Sequence, residues 1–412
     1  MMKEYKKISS YEAEKVSKVV LLYSGGLDTS CILKWIQEKY GAEVITLTFD
    51  LGQQVDDLEN IKQKALKFGA KKAYVLDVKD LFAEQYLAKA IKANCSYQGE
   101  YHVSTISRYL MAAKAVEIAE KEGADAIAHG CTGKGNDQVR LEATALALNP
   151  KIKIIAPVRE WALGRDEELE YAKKHGIEVI QKEGFPYSSD DNMWGVTWEG
   201  GEIEDNFAVP KIEKFLTMTL PEDAPDKPEL LELGFEKGIP VSIDGKKMKL
   251  SLLITELNKI GGKHGVGLCY MVEDRLVGLK IRGVYEHPGA HILIQAHKVL
   301  EKYVCTRTEN EFKEQVDAKW GYLCYGASWL DPLMSDLDAF INHVNSKASG
   351  KVKVKLYKGS VNIVGVDSPN GIYSKSLVTF NKDASYNQNC APGFIEIFSL
   401  QMKMASQIKG LK

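Results

Sequence analysis

Between Val19 and about Pro157, short β-branched runs alternate with stretches of helical periodicity. That alternation commits this part of the chain to a parallel sheet covered by helices. Val19–Tyr23, Glu43–Asp50, Ala73–Val78, Asp125–His129 and Ile152–Ala156 read as strands. Between them, Leu27–Tyr40 carries Ile32, Leu33 and Ile36 on one face and stops at Gly41, and Asp56 or Asp57 caps a helix ending at Gly69. Leu81–Ala93 and Thr105–Lys121 complete the helical stretches. The expected class is therefore α/β, a Rossmann-like nucleotide-binding domain with about five parallel strands.

After Gly176 the rhythm changes. Gly, Trp, Asp and Ser cluster from Gly184 to Gly201, and Pro221 to Pro228 is Pro-rich and acidic. The chain of 412 residues is long enough for two to three domains. We divide it into residues 1–183, a nucleotide-binding domain; 184–390, a second, α+β domain; and 391–412, a C-terminal helix. The second domain has an amphipathic helix at Leu250–Ile260 and strands at Val352–Tyr357 and Val361–Val366. Lys351, Lys353 and Lys355 alternate with Val352, Val354 and Leu356, the pattern of a strand with one solvated face. At the C-terminus Ile397, Gln401, Met404, Ile408 and Leu411 recur at helical spacing, a stripe that must dock on its own subunit or on a neighbour.

Lys plus Arg number 54 and Asp plus Glu 56, so no basic excess proposes nucleic acid as a partner. The longest apolar runs, such as Val19–Tyr23, are far shorter than a membrane span. Seven scattered cysteines, with no Cys-x-x-Cys pair, point to a reducing cytoplasm rather than a disulfide framework. Met1 to Lys18 lacks the apolar core of a secretory signal and the arginines of a transit peptide.

Ser24-Gly25-Gly26-Leu27-Asp28-Thr29-Ser30 falls where the first strand turns into the first helix. Glycines allow close approach of backbone to a polyphosphate, first-turn N–H groups and the helix dipole favour anions, and three hydroxyls add donors. No G-x-x-x-x-G-K-[ST] motif occurs, and no lysine stands in the loop for a γ-phosphate. Asp28 would be repelled by bound phosphates unless a cation intervened, which suggests Mg²⁺. The bland alternative is a tight turn capped by Ser24 and Asp28.

A second loop, Thr132-Gly133-Lys134-Gly135-Asn136-Asp137, follows the Asp125–His129 strand and so lies at the same sheet edge. Thr132 and Asn136 offer neutral hydrogen bonds, Asp137 suits an α-ammonium, and Arg140 one turn on suits a carboxylate. A Gly-rich turn with a helix cap is the alternative. Tyr97–Arg108 is a plausible lid. Gly262–Gly267 lacks the strand-to-helix context of a dinucleotide fingerprint and reads as a turn, with His264 a structural histidine.

The first loop resembles the pyrophosphate loop of the ATP pyrophosphatases that adenylate a substrate, a group including GMP, asparagine and NAD synthetases and tRNA thiolation enzymes. With Tyr23 before it and Cys31 after, it is similar to that of the argininosuccinate synthase family. The resemblance continues through His129–Arg140, Ser188–Glu199, Gly261–Gly267 and Lys280–Glu286, spanning about Val19 to Pro288. It implies ATP-dependent ligation of citrulline and aspartate through a citrullyl-adenylate, releasing AMP and pyrophosphate, in a cytoplasmic homotetramer. It also implies Tyr23, Ser24, Gly25, Gly26, Leu27, Asp28, Thr29, Ser30, Phe49 and Gly130 at the nucleotide, with Ser24 and Asp28 nearest the chemistry and Asp28 toward Mg²⁺. Tyr101, Thr105, Asn136, Arg140, Ser188, Thr197, Glu273 and Tyr285 are implied for citrulline, and Thr132, Asn136 and Asp137 for aspartate. Two rivals share the first loop: another adenylating ligase or tRNA thiolase, which in the thiolase case needs an activated cysteine, and a non-catalytic ATP-binding module.

Overall fold

The computed structural model describes residues 16–54, 57–160, 165–177, 186–381 and 385–409. Five parallel strands, β1 (Lys18–Leu22), β2 (Glu43–Asp50), β3 (Lys72–Asp77), β4 (Ala126–Ala128) and β5 (Lys153–Ile155), form one sheet in the order β3-β2-β1-β4-β5. Val19, Val20 and Leu21 of the central strand are fully buried because helices cover both faces. The chain runs outward from β1 to β2 and β3, then returns to place β4 on the other flank, so a crevice opens beyond the carboxyl ends of β1 and β4.

The first helix spans Leu27–Tyr40 and ends on Gly41 in the left-handed region. Asp57 caps Leu58–Lys67 through the Asn60 amide; Asp56 lies outside the described residues. The helix expected at Leu81–Ala93 begins at Lys79 and contains a π turn at Ala83–Leu87 before Ala88–Lys92. Thr105 belongs to a 3₁₀ turn, Ser104–Ile106, that leads into Ser107–Glu122.

Two antiparallel sheets follow. One orders β10 (Lys246–Lys247), β9 (Ile239–Ile243), β8 (Glu229–Glu236), β13 (Gly350–Tyr357) and β14 (Ser360–Asp367). The other orders β11 (Leu268–Asp274), β12 (Lys280–Glu286), β7 (Gly195–Gly200) and β6 (Tyr187–Asn192). On β13, Val352, Val354 and Leu356 are fully buried and the alternate lysines are exposed, as the period of two requires. The helix from Leu250 runs to Lys263, so Gly262 and Lys263 are its last turn and the turn proper is confined to the residues after them. His264 is buried with Nε2 2.9 Å from Glu229 Oε2, a structural contact.

Met1–Asn370 and Gly371–Lys412 are separate compact units. Within the second, the expected single helix is two, Ala391–Phe398 and Leu400–Lys409, interrupted at Ser399. Ile397, Met404 and Ile408 are 72%, 61% and 81% exposed, so the helices of this unit do not themselves cover the stripe; Leu411 lies outside the described residues.

Candidate active site

At the carboxyl end of β1 the backbone turns through Gly25 at φ +81°, where a Cβ would stand 2.9 Å from Ile61. A side chain there would be strained as well as crowded. Gly26 is the N-cap of the Leu27–Tyr40 helix, and no side chain caps it. Ser24 Oγ accepts from the Gly26 amide at 3.3 Å and lies 3.2 Å from Thr29 Oγ1. Ser30 is different: its buried hydroxyl donates to the Gly26 carbonyl at 2.7 Å and lies 2.9 Å from Tyr23 Oη. It stiffens the loop from behind.

A cavity of about 1140 Å³ opens over this loop, lined by Tyr23 through Thr29, Phe49 and Gly130. The cation that the loop itself lacks arrives from the next helix. Lys64 Nζ donates to the Gly25 carbonyl at 2.7 Å. Sequence spacing gave no sign of it, since Lys64 is 39 residues away along the chain.

The second loop builds a smaller cavity of about 210 Å³. The Cys131 amide donates to His129 Nδ1 at 3.2 Å, so the ring proton is on Nε2, 3.0 Å from Glu142 Oε1. Asn136 stands at the N-cap of Asp137–Leu148 without capping it. Its amide nitrogen donates to Tyr325 Oη at 2.7 Å, and its oxygen accepts from the Leu276 amide at 2.9 Å. Arg275, at the turn after β11, donates to the Lys134 carbonyl at 3.2 Å. The β11–β12 hairpin thus clasps the Gly-rich loop by two backbone-directed contacts.

All ten residues expected to hold the two amino acids line this cavity: Tyr101, Thr105, Thr132, Asn136, Asp137, Arg140, Ser188, Thr197, Glu273 and Tyr285. In the expected lid, Gln98–Glu100 are exposed, and Tyr101–Ser107 form a buried wall. Trp194 Nε1 donates to the His102 carbonyl at 2.7 Å and Asn192 Nδ2 to the Ser104 carbonyl at 3.0 Å, pinning the segment from the β6–β7 hairpin. Tyr101 Oη lies 3.0 Å from Ser104 Oγ and 3.3 Å from Thr105 Oγ1. Tyr97 stacks on Tyr325 with centroids 3.6 Å apart.

Arg140 is 2% exposed. Its Nε donates to the Tyr325 carbonyl at 3.0 Å and its Nη1 to Asp137 Oδ1 at 2.6 Å, while Nη2 is buried with no partner. A guanidinium N–H left bare in a cavity wall costs energy unless a ligand oxygen meets it. Burial opposes the charge of Asp137, but Arg108 and Arg140 outweigh it and hold the carboxyl at about 2. Burial raises Glu273, whose Oε2 accepts from Tyr285 Oη at 3.0 Å. Sequence reasoning missed Arg108, Asp190, Glu199, Arg275 and Tyr325. Arg108, Asp190 and Glu199 lie in segments already singled out; Arg275 and Tyr325 carried no local signal.

Cys131, Ser188, Ser189 and Asp190 line both cavities. Burial pushes the Cys131 thiol up to about 12 and the Cys95 thiol well above its usual value. Neither is an activated nucleophile, which removes the thiolase reading's chemistry. None of the seven cysteines is in a disulfide. No helix among the described residues is long and apolar enough to cross a membrane.

Residues 18–178 match the arginosuccinate synthase N-terminal HUP domain, and residues 187–405 match the arginosuccinate synthase C-terminal domain. An argininosuccinate synthase of Pyrococcus furiosus is 52% identical over 389 residues, covering 94% of each chain. Those of Oceanobacillus iheyensis and Carboxydothermus hydrogenoformans are 49% and 48% identical, covering 95% and 94% of this chain and 94% and 97% of theirs. Two family domains in order and relatives near half identical over almost the whole length establish that the chain belongs to the argininosuccinate synthase family.

Proposed function

We propose that the larger cavity binds ATP and the smaller one binds citrulline and aspartate together, and that the ligation occurs at their common wall. The observation carrying this is the meeting of the two cavities at Cys131, Ser188, Ser189 and Asp190. A urea-type carbon resists amine attack because its oxygen is a poor leaving group. The ureido oxygen first attacks the α-phosphorus of ATP, forming a P–O bond as the bond to pyrophosphate breaks. The aspartate nitrogen then attacks the activated carbon, and the C–O bond breaks with AMP as the leaving group.

The chain's own residues bind and orient. The first-turn amides, Ser24, Thr29 and Lys64 meet the polyphosphate; Phe49 and Gly130 wall the nucleotide. Arg140, with Nη2 unpartnered, offers an N–H to citrulline among Tyr101, Thr105, Ser188, Thr197, Glu273 and Tyr285. Thr132, Asn136 and Asp137 take aspartate, Asp137 remaining anionic for the ammonium because two guanidiniums hold it so. Bringing three substrates into adjoining cavities is worth roughly 7–11 kcal/mol in the best intramolecular systems.

Mg²⁺ fits the donor set in one way. Asp28 is the carboxylate beside the loop glycines, and no cluster of three metal-ligating side chains occurs among the described residues. An ion that keeps its waters and phosphate oxygens needs only one or two carboxylates. Asp28 would hold it, and its charge would stabilise the departing pyrophosphate. The reading divides the chain near residues 183 and 390 and includes a cytoplasmic homotetramer; the apolar stripe that the C-terminal unit does not cover by itself supports assembly.

Exchange of labelled pyrophosphate into ATP tests the order of steps. Exchange that requires citrulline and not aspartate supports it. Exchange with ATP alone, or none without aspartate, overturns it.

A further inference from the structure

Away from both cavities, six polar side chains are buried together where four helical segments meet; none is more than 8% exposed. Asn94, after the Ala88–Lys92 helix, has Nδ2 at 2.7 Å from Glu301 Oε2 and 2.8 Å from Asp317 Oδ2. Asn345, ending Pro332–Asn345, donates from Nδ2 to Glu301 Oε1 at 3.1 Å and to the Lys92 and Ile341 carbonyls. Lys313, on Arg307–Tyr325, pairs with Glu301 at 3.0 Å and with Asp317. His297, on Pro288–Val304, stands between the amides. Its Nδ1 is 2.6 Å from Asn94 Oδ1 and its Nε2 is 2.6 Å from Asn345 Oδ1.

Neither amide can be reversed. Turning Asn94 would aim its oxygen at two carboxylates, and turning Asn345 would aim its oxygen at a carboxylate and two carbonyls. Both ring nitrogens therefore face oxygens that only accept. A neutral imidazole has a single N–H, so one of its lone pairs would oppose an amide oxygen at 2.6 Å.

We propose that His297 is an imidazolium at neutral pH, the second cation of a buried, charge-balanced quartet with Lys313, Glu301 and Asp317, and a positioning residue for the smaller cavity. Burial alone drives the ring toward its neutral form, as do Lys313 and Lys92; Glu301 and the Asn345 contact oppose them. The geometry decides for the proton, because a neutral ring leaves one close contact repulsive. Lys92, half-buried, has its ammonium turned to Asn342 Oδ1 at 2.9 Å. Placing the proton on Asp317 instead, whose carboxyl burial lifts to about 7, gives it no acceptor: Oδ1 faces Lys313 Nζ and Oδ2 faces Asn94 Nδ2.

The network grips both sides of the cavity. Asn94, at φ 43°, leads into the segment carrying Tyr97, Tyr101 and Thr105. The helix bearing Lys313 and Asp317 ends at Tyr325, on which Tyr97 stacks.

Neutron diffraction from crystals of the unaltered protein reads the proposal directly. Protons on both Nδ1 and Nε2 of His297 near pH 7 are the expected result, and one bare nitrogen overturns it. The positioning role rests on the citrulline reading of the smaller cavity and has its own measurement. In His297→Gln, KM for citrulline should rise several-fold with KM for ATP unchanged; equal changes in both, or none, overturn that role. If His297→Gln does not fold, the unaltered protein supplies the readout. A folded pKa raised above the ordinary value keeps the proton's contribution full below about pH 6.5 and loses it as pH rises through the folded value. Citrulline KM should then rise at alkaline pH ahead of ATP KM, and parallel profiles overturn the role. The neutron result stands whatever the cavity binds, so failure of the ligand assignment and failure of the proton assignment are distinguishable.

Discussion

Arg108 Nε stands 2.8 Å from Asp137 Oδ2, so the carboxylate in the wall of the smaller cavity is tied to a guanidinium that lines the larger one. The same arginine pairs through Nη2 with Asp190, which lines both cavities. Asp137 is shared further with Arg140, making a chain of alternating charges along the common wall.

That coupling sets the outcome for Asp137→Ala. Sequence reasoning alone treats Asp137 as an aspartate ligand, so its loss would spare citrulline-dependent pyrophosphate exchange and abolish net synthesis. The structure adds a cost, because removal leaves Arg108 and Arg140 without a shared carboxylate. Exchange should fall by roughly ten- to a hundred-fold, the loss of a charge-assisted hydrogen bond, while net synthesis falls further. Initial rates of both reactions check this; equal losses would remove Asp137 from the aspartate site.

Arg108→Gln should damage both half-reactions. Breaking a buried ion pair costs about 3–5 kcal/mol, and here two carboxylates lose the same partner. Comparing kcat with each KM locates the effect, and a change confined to the aspartate KM would refute a role at the common wall.

Asp28→Asn should depress activity far more than the melting temperature. The isostere keeps a side-chain oxygen of the same shape and removes only the charge, so the fold has little to lose. Unchanged activity at saturating Mg²⁺, assayed beside thermal denaturation, would show that the carboxylate holds no ion.

Asp137 also predicts an acid limb. Its folded value, about 2, lies below the ordinary carboxylate range, so its stabilisation is present above about pH 4 and lost as pH falls through 2. The contribution is reduced by solvent at a side chain 26% exposed. Denaturant titrations across this range should show a shallower loss in Asp137→Asn than in the parent.

Deleting Gly371–Lys412 should leave Met1–Asn370 folded and reduce the assembly's mass in light scattering. The two units are separately compact, and the second does not by itself cover the apolar side chains of its own helices. An unchanged mass would assign the oligomer to another surface.

Local chemistry was enough for the first sheet. The strand at Glu43–Asp50, the helix at Leu27–Tyr40 and the Gly41 stop follow from β-branched runs, a 3.6-residue period and a left-handed glycine, all contained in a few neighbouring residues. The two ligand loops were legible for the same reason: each follows a parallel strand, so sheet topology alone puts both at one edge. What the residues do there was decided by partners distant in sequence. Ser30 reads as a phosphate donor, and only the fold shows that its hydroxyl is shared with Tyr23 and the Gly26 carbonyl. Asn136 reads as a helix cap until Tyr325 and Leu276, 189 and 140 residues away, take its amide. The lysine missing from the first loop comes from Lys64, and the proton state of His297 follows from amides oriented by Glu301 on its own helix and Asp317 on the next. Sequence determines local periodicity and which donors and acceptors exist. Tertiary packing decides their pairing, because a buried polar group must be satisfied by whichever partner the fold brings within about 3 Å.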